Sequence, residues 1–408
     1  MSELDRILRQ GAALHDAGRF EEALAVYDNA ADCWPNLALL WNNRGNTLLE
    51  LQRWPEAAAS YHRALKIAPT LHESRVALAT CLQAMGHLRE AAASCDAVLR
   101  AEPDHAEAHW NRALLLLLKG EYAEGWQEYE WRWKKRRFTS PVRQFDFPKW
   151  SGEQLTGKTI LVHAEQGFGD TIQFCRYLHL IRGLGANVLF ECHPPLVHLM
   201  STLGDRIKVV PAGSPVSPAD YHIPLLSLPL MFKTTLDNIP DEIPYLYPPA
   251  DRLPFWHTVV PRGEERRVGL CWSGKKYPDP SRSVPAWLMV ALCACPEISF
   301  FSLQTGADAD KPDMPLHDLT TLINDFADTA ALISQLDLVI TIDTSVAHLA
   351  GALGAETWLM VPFSPDWRWG IGRNDSPWYP TMRLFRQQRR GDWGTVICEL
   401  IEALVEGQ

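Results

Sequence analysis

No stretch of the 408 residues stays apolar long enough to cross a bilayer; residues 113–118, the longest candidate, fall far short of the ~20 a spanning helix needs. The N-terminus, MSELDRILRQGAALHDAGRF, carries charges through its first ten residues and so lacks the apolar core of a signal peptide. A cytoplasmic protein without a membrane span is expected. Basic charge is also short: 39 Lys and Arg against 49 Asp and Glu give a net charge of -10. Such a chain repels nucleic acid and acidic membrane surfaces, and no nucleic-acid partner is expected. The nine cysteines are scattered, and the closest pair, Cys293 and Cys295, has no second pair at metal-site spacing. Buried free thiols and no metal site are expected. At 47% hydrophobic and 22% charged residues the chain has no disorder-like depletion of apolar side chains, and its length calls for several domains.

What the chain does have, in its first third, is a repeat. Ala23, Ala30 and Pro35 recur as Ala57, Ala64 and Pro69, each 34 residues on, and again as Ala91, Val98 and Pro103. That is the period of tetratricopeptide helix pairs. Small alanines let paired helices approach closely, and the proline stops each pair before the next begins. Gly18, Gln52, Gly86 and Gly120 keep the same spacing at the turn inside each pair. A fourth unit, from Ala106, replaces the expected alanine with Gly125 and departs into the aromatic stretch YEWRW, as a solenoid end that must cover its apolar face would. The basic run RWKKRR (132–137) reads as a helix C-terminus whose cations complement the dipole. A solenoid of this kind offers a concave groove, for which a protein or peptide partner is the natural expectation.

Beyond the linker 138–157 the pattern changes to short apolar strands alternating with helices. KTILVHA, NVLFECH, IKVVPAG and DYHIPLL read as strands of one parallel sheet; RRVGLCWSG, ISFFSLQTG, LDLVITID and TWLMVPF read as a second. A proline-dense stretch separates them. The expected organisation is tetratricopeptide repeats over 1–137, a Rossmann-like domain over 158–247, a linker over 248–266, and a second Rossmann-like domain with a final helix over 267–408. Ligands of such folds bind at the C-terminal edges of the strands.

At one such edge stands HAEQGFGDTIQF (163–174). A dinucleotide turn requires GxGxxG; Gly167 and Gly169 match, but the third position is Ile172, and Asp170 would compete with a pyrophosphate for the helix N-terminus. Glu191, at the end of the next strand, stands about where a ribose-binding acid would. Asp170 has two open readings: a helix cap, or a general base that deprotonates an acceptor hydroxyl. Glu165 is the competing carboxylate, and His163 reads as structural.

The other edge carries IDTSVAHLAGALG (342–354), in which a strand ends at Asp343 and a helix of small residues begins after Thr344 and Ser345. Its first turn can offer backbone N–H groups and hydroxyls to a diphosphate, with His348 one turn on as a further donor; the alternative is an ordinary N-cap. Ser273, Gly274, Lys275, Lys276 and Arg282 in WSGKKYPDPSR lie on a strand-end loop with cations suited to phosphate, and Gln304 ends the neighbouring strand. In PFSPDWRWG and SPWYP, Trp367, Trp369, Trp378 and Tyr379 either stack on a ring of a ligand or pack an interface, and Asp366 and Arg368 are candidates for its polar edges.

Four segments together, YAEGWQEYEWRW, HAEQGFGDTIQFCRY, DTSVAHLAGALG and DWRWG, resemble bacterial proteins that join tetratricopeptide repeats to a glycosyltransferase domain related to the heptosyltransferases. The resemblance implies an α-solenoid followed by the two-Rossmann architecture called GT-B, with a nucleotide sugar as donor substrate, held mainly by the C-terminal half, and no further cofactor. It also implies Asp170 as catalytic base and Asp343, Thr344 and His348 as contributors to diphosphate binding. Ser345 stands where those relatives commonly have glycine. The repeats make the chain similar to protein O-glycosyltransferases, including flagellin-modifying enzymes, whose repeats engage the polypeptide acceptor. Glycan or lipid assembly with the repeats used for docking, or a scaffold that has lost catalysis, are the rival readings.

Overall fold

The computed structural model describes residues 2–136, 138–275, 279–306 and 309–406. Two compact units divide the chain, Met1–Phe138 and Thr139–Gln408.

The N-terminal unit is a solenoid of helix pairs: α1 (Glu3–Asp16) with α2 (Phe20–Cys33), α3 (Ala38–Glu50) with α4 (Trp54–Ile67), α5 (His72–Ala84) with α6 (Leu88–Ala101), and α7 (Ala106–Lys119) with the shorter α8 (Tyr122–Tyr129). The turn inside each pair needs one left-handed residue, and it falls where the 34-residue register puts it: Gly18 at φ 73°, Gln52 at 56°, Gly86 at 81° and Gly120 at 82°. Three of the four are the residue without a Cβ, for which this conformation is unstrained. Packing inside the pairs follows the same register. A Cβ on Gly11 would lie 2.5 Å from the Tyr27 ring, and one on Gly45 2.6 Å from the Tyr61 ring. One repeat further the equivalent positions are Ala79 and Cys95, so a smaller partner admits the larger helix residue.

The fourth pair ends the solenoid differently. After α8 a 3-10 turn, Glu130–Lys134, follows, and Tyr122, Trp126 and Tyr129 are buried. The basic run ends the helical segment as expected, with Arg132 and Lys134 in its last turn and Arg132 Nη1 donating to the Tyr129 carbonyl at 3.2 Å, and it also meets aromatic rings: Arg132 is fully buried between those of Tyr129 and Trp133, Lys134 Nζ lies 3.8 Å over Trp131, and Lys135 Nζ 4.3 Å over Trp110. The side chains cover apolar surface; the buried Arg132 guanidinium is paired with the Glu130 carboxylate, and Lys134 keeps its charge at the surface. Arg137 lies outside the described residues.

The second unit is α/β. Its first sheet has the order β3-β2-β1-β4, with β1 (Thr159–His163), β2 (Asn187–Cys192), β3 (Ile207–Pro211) and β4 (Tyr221–Pro224), all parallel. Helices α9 (Phe168–Phe174) and α10 (Tyr177–Gly183) follow β1; α11 (Val197–Met200) and α12 (Leu228–Met231) are single turns. The stretch read as a linker from 138 belongs to this unit from Thr139 on, and Lys149 pairs with His222 along the outer edge of β4. Helix α13 (Leu253–Val259) lies in the second stretch read as a linker.

The second sheet has the order β6-β5-β7-β8-β9: β5 (Arg266–Cys271), β6 (Ile298–Ser302), β7 (Leu338–Ile342), β8 (Thr357–Val361) and β9 (Met382–Arg386), again all parallel. Its helices are α14 (Ala286–Met289), α15 (Phe326–Ile333), α16 (Ser345–Ala352) and α17 (Trp393–Glu406). Val268, Ile340 and Met360 from the sheet and Val396 and Leu400 from α17 are fully buried in one core. Strand β9, which the sequence reading did not contain, forms the edge beyond β8. Among the described residues no helix is long and apolar enough to cross a membrane.

Candidate functional site

Helices α9 and α16, each starting at the C-terminal end of a central strand, pack directly on one another. The glycine turn explains how. Gly169 carries no side chain because a Cβ there would sit 2.7 Å from His348 Cδ2 and 3.6 Å from the Ser345 Cα. Gly169 therefore admits a neighbouring helix, a use unlike that of a glycine approached by pyrophosphate. Glu191, the other feature of the dinucleotide reading, is 2% exposed and accepts from Arg143 Nη1 at 2.7 Å, so Arg143 accounts for it.

Asp170 fills the cap role and reaches across the seam as well. One carboxylate oxygen accepts from the Gly167 N–H at 2.9 Å, and the other from Arg368 Nη2 at 2.5 Å. Arg368 is buried and makes three side-chain contacts in fan arrangement: Nη2 to Asp170, Nε to Gln173 Oε1 at 2.5 Å, and Nη1 to Asp366 Oδ1 at 2.9 Å. A planar guanidinium with five N–H donors suits such a junction. Arg368 thus ties α9 to the segment that follows β8, with Asp366 fixing its orientation. Glu165 is 4% exposed and accepts from the Leu226 N–H at 3.1 Å, fixing the loop after β4. His163 is buried beside Phe145 and His222, as a structural residue would be.

On the opposite side, Thr344 is the N-cap of α16, its hydroxyl accepting from the Val346 N–H at 3.3 Å, and Ser345 is half-buried at the first helical position. Burial, with Asp366 nearby, pushes the Asp343 carboxyl up to about 6 against the opposing pull of Arg368 and Arg282. His348 is buried, stacks on Trp369 and bonds through Nδ1 to the Tyr379 hydroxyl at 2.9 Å. Burial, reinforced by the guanidinium groups of Arg368 and Arg176, holds it well below the usual histidine range.

The loop after β5 completes the rim. Gln304 lies beneath it: its Oε1 accepts from the Trp272 N–H at 3.2 Å and the Ser273 N–H at 2.8 Å. Gly274 is a close approach, since a Cβ would meet Arg282 Nε at 2.8 Å. Arg282 bridges the loop to the end of β7 by donating to the Asp343 carbonyl at 3.1 Å and the Lys275 carbonyl at 3.3 Å. Lys275 is exposed there, and Lys276 lies outside the described residues. One rim therefore gathers Asp343, Arg282 and the Ser273-to-Lys275 loop beside α16, and the contact of α9 with α16 brings Asp170, Arg368 and His348 to the same place.

The aromatic cluster packs the seam. Trp367, Trp369, Trp378 and Tyr379 are at most 3% exposed, and Phe174 of α9 lies against Trp367 and Trp378. Sequence reasoning missed Arg176, which is 2% exposed and donates to the carbonyls of Gln173, Pro240 and Trp378 and to the Tyr245 hydroxyl. The available signal was the i, i+3 spacing of Asp170, Gln173 and Arg176, which puts three polar groups on one face of the segment after the glycine turn.

Two tetratricopeptide repeat models match the chain, over residues 38–71 and 76–130. The N-terminal unit thus consists of tetratricopeptide repeats. Over 96% of its length the chain is 26% identical to Protein FlbA of Caulobacter vibrioides, of which the match covers 71%. It is 32% identical over 82 residues, 20% of this chain and 13% of the relative, to the peroxisomal targeting signal receptor of Saccharomyces cerevisiae. Among solved structures, the second TPR domain of human RPAP3 in complex with the HSP70 peptide SGPTIEEVD aligns at 23% identity and TM-score 0.26, covering 26% of this chain and 89% of that one. YrrB, a TPR protein with an unusual peptide-binding site, aligns at 19% identity and TM-score 0.28, covering 31% and 64%.

Proposed function

We propose that the protein is a glycosyltransferase that moves a sugar from a nucleoside-diphosphate donor to a hydroxyl, that of Ser or Thr in a polypeptide delivered by the repeats. The observation that carries this reading is the convergence, at the edges of two parallel sheets, of a helix start flanked by Arg282 and Lys275 with a carboxylate, Asp170, brought in by the other sheet's helix. The α16 start and the cations are suited to the charge that grows on a leaving diphosphate. Asp170 would take the proton of the attacking hydroxyl: each of its oxygens holds a second lone pair besides the hydrogen bond already made, and Arg368 fixes its orientation. The hydroxyl oxygen bonds to the anomeric carbon, the bond from that carbon to the diphosphate breaks, and the pair leaves with the diphosphate. That tetratricopeptide relatives bind peptides is consistent with a polypeptide acceptor.

Incubation of the full chain with a panel of nucleotide sugars tests the reading. Donor hydrolysis or transfer is expected with at least one sugar, and Asp170→Asn is expected to abolish turnover while sparing nucleotide binding. Failure to bind any nucleotide would point instead to a scaffold; near-normal turnover of Asp170→Asn would remove it as base.

A further inference from the structure

The turn that leads into Asp170 contains a residue whose conformation is costly and whose side chain returns nothing to the fold. Gln166 has φ 65°, a left-handed backbone that is strained for a residue with a Cβ and would be unstrained for glycine. The fold uses only its main chain here: the Gln166 N–H donates to Ser140 Oγ at 2.9 Å, a bond that glycine would make equally well. Its carboxamide has no hydrogen-bond partner among the described residues. The preceding Glu165 turns inward and is buried, whereas Gln166 is half-buried. Backbone strain that no contact within the protein repays is a mark of functional sites.

Gln166 also adjoins open space at the Asp170 carboxylate. The peptide between Gln166 and Gly167 donates to Asp170 Oδ2 at 2.9 Å, so the Gln166 Cα lies at most about 5 Å from that oxygen. A Cβ built on Gly167 would meet Oδ2 at 3.3 Å and, its chain neighbours aside, no other atom within 4 Å. Gly167 is exposed, and the Asp170 side chain is 21% exposed. We infer that the Gln166 carboxamide binds a peptide group of the acceptor chain, next to the Ser or Thr whose hydroxyl faces Asp170. This rests on the glycosyl-transfer reading and narrows its acceptor to one recognised through main chain beside the hydroxyl. A carboxamide carries an acceptor oxygen and two N–H donors, which match the N–H and C=O of a peptide group. The acceptor hydroxyl itself is engaged by Asp170, so an alcohol with no second polar group leaves Gln166 unused.

The test compares two small acceptors, using the full chain and the nucleotide sugar that the panel shows to be turned over. N-acetylserine N-methylamide has a peptide group on each side of its hydroxyl; ethanol has none. The wild-type protein is expected to prefer the amide. Gln166→Gly is expected to lose roughly tenfold of that preference, chiefly through a raised KM for the amide, the factor one net hydrogen bond supplies. Gln166→Asn keeps a carboxamide on a residue that tolerates the left-handed region and is expected to retain part of the preference. Stability should move the other way: relief of strain is expected to raise the melting midpoint of Gln166→Gly by about 1–2 °C. Glu297→Gly is the control, since Glu297 has φ 59° just before the N-terminal end of β6; it is expected to gain as much and to keep the wild-type preference. Equal use of the two acceptors by the wild type, an unchanged preference in Gln166→Gly, or a Gln166→Gly that melts below the wild type would each overturn the inference and leave the enzyme reading in place. Absence of hydrolysis and transfer with every nucleotide sugar would sink the enzyme reading itself, and the role of Gln166 with it.

Discussion

Gly169→Ala is the sharpest probe of the seam between the two sheets. The glycine sits in the first turn of α9 with ordinary backbone angles, so alanine there should gain up to about 1 kcal/mol of helix propensity. Against that, the new methyl would lie 2.7 Å from His348 Cδ2, whereas carbon atoms settle at about 3.5–4 Å, so roughly an ångström must be found. His348 is a poor place to find it, held by Tyr379, by the Trp369 stack and by its own helix backbone. Overpacking of this kind costs about 1–3 kcal/mol. Gly183, also helical, is the control, because nothing lies within 4 Å of a Cβ built there; Gly183→Ala carries the propensity gain without the clash. The two variants should differ chiefly by the clash, which at about 2–4 °C per kcal/mol separates their midpoints by roughly 2–12 °C. Thermal unfolding followed through the buried tryptophans of the seam, Trp367, Trp369 and Trp378, reports on this unit. If Gly169→Ala melts as high as Gly183→Ala, then α9 and α16 do not pack in solution as described.

Other expectations follow from single groups. The raised Asp343 carboxyl means that between about pH 4 and pH 6 the folded state binds a proton the unfolded state has lost, so this group's share of stability falls as pH rises through that window. Asp343→Asn should remove the loss, and its stability advantage in urea unfolding should grow by up to about 3 kcal/mol between pH 4 and pH 7. Arg176→Met removes the donor to the buried carbonyls of Gln173 and Trp378, the part-buried carbonyl of Pro240 and the Tyr245 oxygen, and should cost roughly 3 kcal/mol in the same assay; Arg176→Lys should recover little, since an ammonium lacks the guanidinium fork. Gln52→Gly should stabilise the solenoid by about 0.5 kcal/mol, the relief of left-handed strain exceeding the entropy glycine adds to the unfolded chain.

The parts of the molecule that repeat or alternate were readable from sequence. A 34-residue register predicts not only the helix pairs but the four residues that turn left-handed, because identical geometry demands the same φ at each turn. Eight of the strands lie in the short segments read as strands, most of them apolar as a buried parallel sheet requires. The ninth, MRLFR, is an edge strand whose apolar run is broken by exposed Arg383, and its short pattern is lost after the aromatic loop. Candidate residues were legible as types more than as duties. Asp170 was read as cap or base, and it caps while also pairing with a residue 198 positions away. No local pattern announces Arg368 as its partner or Arg176 as a buried cation, because the contacts that decide both lie across a seam between distant segments. Gly169 shows the same limit: a glycine needed for a neighbouring helix is written like one needed for a phosphate.

Charge gives the seam its functional direction. The chain as a whole carries -10, yet the cations near α16 outnumber the carboxylates that answer them. Arg368 is matched to Asp170 and Asp366. Arg282 and Arg176 have hydrogen bonds only to carbonyl and hydroxyl oxygens, and Lys275 is exposed on the adjoining loop. Asp343 is the remaining acid, and its raised carboxyl is the mark of a place where negative charge is costly in burial yet already drawn on by the neighbouring guanidinium groups. Folding alone gains little from buried guanidinium groups without carboxylate partners, since desolvation works against them. An anion seated at the start of α16 would supply the missing counter-charge, and a diphosphate has the charge and the oxygen count to engage Arg282, Lys275 and the helix N–H groups together. Were an anion to bind there, its charge would raise the Asp343 carboxyl further, and binding would then draw a proton onto it.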